Sequence, residues 1–577
     1  MEKNFFSKIY NVFEVKQKKT FLLLSFLMFI ATLLETFGIG LIIPIVMTIF
    51  ENNFFLKHEF LKNIYYFLNQ PSQKQIIIYT CSLLVIFYFL KNLFMYFFFV
   101  IEGEYIYKTQ KNIITKLYDF YISQNHYNIF KLNSSRLMSN IITDTSIFVT
   151  TTKNLLIFLS EVMIAIGILS LLFILNPTMF VFNFVITALG MALIGVVTRK
   201  KILKMGYESK RLRDDFFIKL NNSFDSVKEI NVYQKNFFFS KMFDNNNQDI
   251  FQINKKLHVF QGLPKITYEI LGVTLLALII IYFTVTSVGE AQTITFLAIA
   301  GASAFRLIPC ANRIINSLQY FNYARKSVNL ISSEIAQARK LDLEKKIKNF
   351  HNFSKTYPII IDNISYKYPD REEYIFKNTS LEIKKNEKIL LFGETGSGKS
   401  TLIELILGLL KPCAGKIQVE NQNLYENFNT WSEKIGYVPQ KISLIQGTIL
   451  SNLAFGQNEK EIDYKLLEKS LEVSELKKFL NDLPDGMQTE ISPGGSNLSG
   501  GQRQRIGIAR ALYRNPQILI FDESTNAIDE DLQQKIIKNI LNVSNEKTIL
   551  FISHDRNLEK FFDYSLKISK AGIEKIV

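Results

Sequence analysis

Long apolar runs dominate the first 320 residues. Six stretches stand out, at about 20–50, 75–101, 154–175, 179–197, 266–285 and 293–320. Each approaches or exceeds the roughly 20 residues that a helix needs to cross a bilayer. Runs such as Phe21–Leu34 and Ile76–Leu90 have almost no polar face, which argues against buried helices of a soluble protein. Six transmembrane helices are expected. The polar segments between them, 102–153 and 198–265, lack proline until Pro264 and are mostly helix-compatible. Two arms of some 20 residues would each reach about 30 Å, so spans two to five are expected to continue as helices beyond the bilayer. Short turn helices are expected near 125–134 and 223–233. In the first loop on the other side, Leu56, Phe60, Ile64 and Leu68 fall four apart, which predicts an amphipathic helix over 54–68 lying in the membrane interface.

Charge sets the orientation. Segments 102–153 and 198–265 carry 6 and 14 Lys and Arg, and the residues before Thr20 add 5. The opposite loops, 51–74, 176–178 and 286–292, carry 3 in total. Lys and Arg concentrate on the cytoplasmic side, so the N-terminus and the C-terminal domain are both expected there. The net charge of +15 is mostly this topology signal, and no nucleic-acid partner is expected. The first apolar run is too long for a cleavable signal and reads as an uncleaved anchor. Cys81, Cys310 and Cys413 are scattered, with no spacing for a metal site or disulfide framework.

Charged residues inside spans are costly and call for a reason. Glu35, Lys91, Glu161 and Glu269 lie mid-span, and span six carries Arg306, Pro309, Asn312 and Arg313. The arginines are seven residues apart and share a helix face. They suit an anion site for a translocated headgroup, or salt bridges, for example to Glu35 or Glu269. Glu35 with Lys91 suits an internal ion pair. Pro309 is expected to kink its helix.

The C-terminal chemistry begins at Gly393-Glu394-Thr395-Gly396-Ser397-Gly398-Lys399-Ser400, after the apolar Ile389–Phe392 and before Thr401-Leu402-Ile403. That is strand, glycine loop, helix. Loop amides and the helix N-terminus suit phosphates, Lys399 can reach β- and γ-phosphates, and Ser400 can hold Mg²⁺. Leu498-Ser499-Gly500-Gly501-Gln502 and Ile518-Leu-Ile-Phe-Asp522-Glu523 follow in that order.

Together these motifs resemble the nucleotide-binding domain of ABC transporters, over about 357–577. The resemblance implies ATP and Mg²⁺ as cofactors and assigns roles by position. Tyr368 would stack on adenine, with Tyr366 as the alternative. Ser400, Gln440 and Asp522 would hold Mg²⁺, with Gln440 sensing the membrane half. Glu523 would polarise the attacking water, and His554 would contact the γ-phosphate. Asp529 matches the loop that crosses the dimer interface. Ser499, Gly500, Gly501 and Gln502 would complete the site of a second, identical chain. The turn helices would transmit ATPase motion. One departure is Pro493, in Thr489-Glu490-Ile491-Ser492-Pro493, where such exporters often carry an acidic residue thought to touch those helices.

The expected architecture is an α-helical membrane domain of six transmembrane helices (1–327), a linker (328–356) and an α/β P-loop ATPase domain (357–577). Glu35-Thr-Phe-Gly-Ile, the interfacial helix, Lys91-Asn92 and Ala304-Phe-Arg306-Leu-Ile-Pro309 with Asn312-Arg313 are similar to bacterial lipid-linked oligosaccharide flippases of the PglK-like group. That resemblance implies a multi-pass protein of the bacterial inner membrane. Its cargo would be a polyprenyl-diphosphate glycan, with Arg306 and Arg313 on the diphosphate. Exporters of another lipid, a drug or a peptide are the alternatives, and an ABC-type channel or regulator is a further one. The intact Glu523 counts against the last.

Overall fold

The structure, a computed structural model, describes residues 4–50, 59–67, 71–124, 133–175, 177–286, 290–347, 358–525, 527–544, 546–569 and 572–576. The chain divides near residues 343/344 into two compact units.

The first unit is helical. A short helix α1 (Asn4–Val12) precedes α2 (Val15–Phe50), and α3 (Glu59–Phe67) precedes α4 (Gln73–Ile122). Then come α5 (Ser134–Ser139), a π-turn at Asn140–Asp144, α6 (Thr145–Leu175), α7 (Pro177–Asp225), α8 (Val227–Val232), α9 (Asn236–Thr286) and α10 (Glu290–Ile347). The six apolar stretches fall inside α2, α4, α6, α7, α9 and α10. Four described segments, Val15–Gly38, Gln73–Ile122, Ser134–Ile174 and Phe180–Asp225, are long and apolar enough to cross a membrane. The helices outrun the bilayer: α4 and α7 contain 50 and 49 residues, roughly 75 Å each at 1.5 Å per residue. Pro264 and Pro309 both lie inside unbroken helices.

The short helix expected near 223–233 is α8. Residues 125–132 of the other turn lie outside the described residues, as do Leu56 and Leu68 of the interfacial helix, whose described part is α3. Helix α10 runs on through Ile347, 20 residues past the boundary expected at 327. The cause is periodic burial: Phe321, Ala324, Val328, Ile331, Ile335 and Ala338 are all buried, at spacings of three and four that keep one stripe on the core.

A polar cluster lies in the middle of this unit, beyond the apolar stretches. Asp144, on the π-turn, is 0% exposed and Lys210 of α7 is 2% exposed. Lys210 Nζ lies 2.5 Å from both Asp144 Oδ2 and Asp214 Oδ1, and donates to Asn140 Oδ1 at 3.0 Å. Ser327 of α10 donates to Asp144 Oδ1 at 2.6 Å, and Ser139 to Asp214 Oδ1 at 3.0 Å. Tyr121 of α4 bonds Glu334 of α10, and Asn140 donates to the Tyr121 hydroxyl at 3.2 Å. The π-turn widens one helical turn by a residue and carries both Asn140 and Asp144 at its two ends. A buried charge that loses its partner costs several kcal/mol. Lys210→Met should therefore lower membrane-unit stability by about 3–5 kcal/mol, measured by thermal unfolding in detergent. Lys204→Ala, at an exposed i,i+4 pair with Glu208, should change it by less than about 0.5 kcal/mol.

The second unit is α/β. A four-stranded antiparallel sheet has the order β2-β1-β4-β5, with β1 Pro358–Tyr366, β2 Phe376–Lys384, β4 Ala414–Val419 and β5 Gln422–Asn423. A six-stranded sheet has the order β12-β11-β3-β10-β9-β6. Its strands are β3 Lys388–Phe392, β6 Ile435–Val438, β9 Ile518–Asp522, β10 Thr548–Ile552, β11 Tyr564–Ser569 and β12 Gly572–Ile576, while β7 Gly447–Thr448 and β8 Glu490–Ile491 form a separate antiparallel pair. All pairings within the six-stranded sheet are parallel except β11 with β12. Strands β9 and β10 are buried at every position, the pattern of a parallel sheet covered on both faces. The helices α11 (Lys399–Ile406), α12 (Gly500–Tyr513) and α13 (Glu530–Val543) supply much of that cover.

Candidate functional site

The parallel register assembles the site. Leu391 of β3 pairs with Ile552 of β10, Ile552 with Asp522 of β9, and Val438 of β6 with Phe521. The loops after these four strands therefore start level at one sheet edge. They carry Gly393–Lys399, Ser553-His554, Asp522-Glu523 and Gln440. Ligands in open α/β sheets bind outside the carboxyl ends of the strands.

The β3 loop wraps tightly. A Cβ on Gly393 would sit 2.3 Å from Ile568 O, and one on Gly398, at φ 103°, would sit 2.7 Å from Ile375 Cγ2. Only glycine fits either position. Lys399 is buried, and its ammonium donates to Gly393 O at 2.8 Å and Glu394 O at 3.0 Å. Ser397 Oγ is buried and has no hydrogen-bond partner among the described residues. The loop is thus a polar cradle at the N-terminus of α11, which suits an anion. Thr401 of α11 hydrogen bonds the Tyr368 hydroxyl at 3.1 Å. Tyr368 is half-buried, whereas Tyr366 is a core residue at 4% exposure, so of the two aromatics only Tyr368 has a face to offer a base.

Glu523 sits just past β9 at φ 47°, a left-handed conformation that costs a side-chain-bearing residue on the order of 1–3 kcal/mol. Two donors hold its carboxylate: Gln440 Nε2 reaches Oε2 at 2.7 Å, and His554 Nε2 lies 2.9 Å from Oε1. Three of the positions singled out in the sequence thus meet at one carboxylate. Asp522 lies beneath. Burial first, then the nearby Glu523 and Glu404 carboxylates, push it up from its ordinary 3.8 to about 6, against the opposing pull of Lys399 and a hydrogen bond with Tyr437. Tyr437 and Glu404 were not anticipated; an aromatic two residues before Pro439-Gln440 and an acid five after Lys399 were the signals available. The Asp522 carboxylate, beside Glu523 and Glu404, is the type of hard oxygen donor that a divalent cation takes.

Ser499-Gly500-Gly501-Gln502 caps α12. Ser499 Oγ accepts from Gln502 N at 3.2 Å, and Gln502 Oε1 accepts from Ser499 N at 2.8 Å, a reciprocal capping box. Among the described residues no hydrogen bond joins this cap to Gly393–Thr401. It approaches Ala527 instead, whose N–H donates to Gln504 Oε1 at 3.0 Å. Asp529 is the N-cap residue of α13. Pro493, itself exposed, opens a 3₁₀ turn, Pro493–Gly495, whose last residue is buried.

The membrane charges are paired. Arg313 donates to Glu161 through Nε–Oε1 at 2.5 Å and Nη2–Oε2 at 3.1 Å. Arg306 pairs with Glu35, which also takes Lys91 at 3.0 Å. The two arginines thus bind different acids, and the partner of Arg313 is Glu161, neither of the two acids considered from the sequence. Glu269 is exposed on the surface of this chain. Arg306 Nε is buried without a hydrogen-bond partner among the described residues.

Residues 376–526 match the family model described as "ABC transporter". A "Putative export ATP-binding/permease protein" of Rickettsia bellii is 37% identical over 214 residues, 37% of each chain. The chain thus matches little more than a third of the length of that relative. The "ATP-dependent lipid A-core flippase 2" of Colwellia psychrerythraea is 28% identical over 82% of this chain and 80% of its own length. The solved "Structure of a bacterial Atm1-family ABC exporter with ATP bound" aligns at a TM-score of 0.75 and 18% identity, over 95% of this chain and 94% of that one. The chain has an ABC exporter fold, a helical membrane region followed by an ABC transporter ATPase domain.

The raised Asp522 proton affinity has a sign that can be tested. The folded domain binds this proton more tightly than the unfolded chain, so the buried charge costs stability above about pH 6, and the cost fades between there and 3.8. Asp522→Asn should therefore stabilise the nucleotide-free protein at pH 7.5, by up to about 3 kcal/mol, while abolishing Mg²⁺-dependent nucleotide turnover. Calorimetry at pH 7.5 and 5 checks this, and the gain should shrink at the lower pH.

Proposed function

We propose that this chain is one half of a homodimeric exporter that hydrolyses ATP to move a lipid-linked oligosaccharide, a polyprenyl-diphosphate glycan, to the outer leaflet of a bacterial inner membrane. The ATPase part rests on one observation, the junction of Gln440 and His554 at Glu523 beside Asp522 and the Gly393–Ser400 cradle. Phosphoryl transfer to water requires mainly charge placement. Lys399 and the loop amides would bind the phosphates, with Tyr368 on the base. Mg²⁺ on Ser400, Asp522 and Gln440 would neutralise phosphate charge. Glu523 would orient and polarise the water, and His554 would hold the γ-phosphate end of the site. The Ser499–Gln502 cap, exposed at Ser499 and half-buried beyond it, would complete the site of a second chain.

Glu523→Gln should bind ATP and turn over at least about a hundredfold more slowly, in line with the loss of a general base. Phosphate release by the purified protein decides it; near-normal turnover would remove Glu523 from the mechanism.

The cargo part rests on charge. Lys91 and Arg306 share the single carboxylate of Glu35, which leaves one positive charge in excess at that cluster, and Arg306 Nε has no hydrogen-bond partner among the described residues. A diphosphate supplies the missing acceptors, and a planar guanidinium suits it. Arg313, held in both its hydrogen bonds by Glu161, would join only if that pair opened. The match to a lipid A-core flippase over four fifths of its length favours a second reading, a lipid A-type glycolipid, which is also phosphorylated. In liposomes, Arg306→Ala should lose ATP-driven flipping of a labelled lipid-diphosphate glycan while ATP hydrolysis and folding persist. Arg306→Lys should recover only part. Arg313→Ala should lose flipping with it if Glu161 releases the arginine. Faster movement of a lipid A-type lipid than of the diphosphate glycan would favour the second reading.

A further inference from the structure

At the cytoplasmic end of the membrane unit, α1 lies beside the first turns of α2 and the start of the apolar part of α6. Between them is an open cavity of about 280 Å³ lined by apolar and aromatic side chains, among them Phe6, Tyr10, Phe13, Phe21, Leu155 and Phe158. The cavity sits at the level where the apolar stretches of α2 and α6 begin, near residues 20 and 154. Its volume is just under the roughly 300–1,000 Å³ of small-ligand pockets, enough for part of one hydrocarbon chain.

The wall formed by α1 is firmly held. Arg339 of α10 donates to the carbonyls of Asn11 at 2.5 Å and Val12 at 2.6 Å, so a cation closes the helix C-terminus. Lys8 donates to Asn329 at 3.0 Å, and Phe5 and Ile9 are buried. The cavity is therefore built into the fold.

One cation stands directly over its lining. Lys18 Nζ lies 4.5 Å above the ring of Tyr10, itself a lining residue. Lys16 and Lys19 are exposed. Lys8 and Lys116 are taken up by Asn329 and Glu14, but Lys16, Lys18 and Lys19 have no carboxylate partner among the described residues. An apolar slot, with Lys18 over one of its lining rings and the exposed Lys16 and Lys19 on the same first turns of α2, is complementary to one class of molecule.

We propose that this cavity is a binding site for an anionic phospholipid of the cytoplasmic leaflet. Part of one acyl chain fills the aromatic slot, and the headgroup phosphate meets Lys16, Lys18 and Lys19. The site is distinct from the charges in the spans and does not depend on what is transported.

The test uses the full chain purified in detergent, with dioleoylphosphatidylglycerol or dioleoylphosphatidylcholine added in equal amounts and bound lipid counted by native mass spectrometry. Each lysine near an anionic headgroup contributes about fivefold, so phosphatidylglycerol should be retained at least about tenfold better. The triple variant Lys16→Gln, Lys18→Gln, Lys19→Gln should lose that preference. Leu155→Trp, which fills the slot, should lose both lipids. Lys200→Gln with Lys201→Gln, at exposed lysines elsewhere on the unit, should leave the preference intact. Equal retention of the two lipids, an unchanged triple variant, or an equal loss in the Lys200/Lys201 pair would each overturn the proposal. If Leu155→Trp does not fold, the surface triple variant still decides it.

Discussion

The parallel hydrogen-bond register of β3, β10, β9 and β6 is the constraint on which the candidate site depends. Gly393, Gln440, Asp522 and His554 come from positions up to 161 residues apart. They come together because each ends or follows a strand that stops at the same level of one sheet. A one-residue slip in any pairing would also turn that strand's side chains to the opposite face. Burial resists this: every residue of β9 and β10 is buried, so a shifted strand would have to repack on both sides. The core thereby fixes a geometry that the loops could not hold alone.

Local motifs were the most legible part of the chain. The glycine loop, the capping box at Ser499 and the strand before Asp522 each carry their physical reason within about ten residues, and each lies where its pattern puts it. The reach of α10 was less legible: the fading of hydropathy after residue 320 suggests a linker from 328, whereas the buried stripe from Phe321 to Ala338 carries the helix on. Choices between neighbours were less accessible. Tyr366 and Tyr368 are equivalent as sequence, and only the packing of β1 buries the first and leaves the second half-open.

Pairing between distant helices was not legible. Arg313 and Glu161 are separated by 152 residues, and no local pattern says which of several mid-span acids an arginine will meet. The π-turn at Asn140–Asp144 has no sequence signal of its own; it is explained by what it carries into the Lys210 cluster. In both cases the cost of an unpaired charge in a poorly solvated place selects the partner. That selection operates only after the helices have packed.

The backbone at Glu523 carries a further consequence. A left-handed residue is most at ease as glycine, and here a long acidic side chain occupies that position, beside another buried carboxylate. The local fold would be more comfortable without the group that equips it for hydrolysis. Drift under weak selection should therefore run downhill, toward a sturdier domain that still binds nucleotide but turns it over poorly. Among descendants of such a chain, an inactive copy would be expected to outlast its working parent in the test tube.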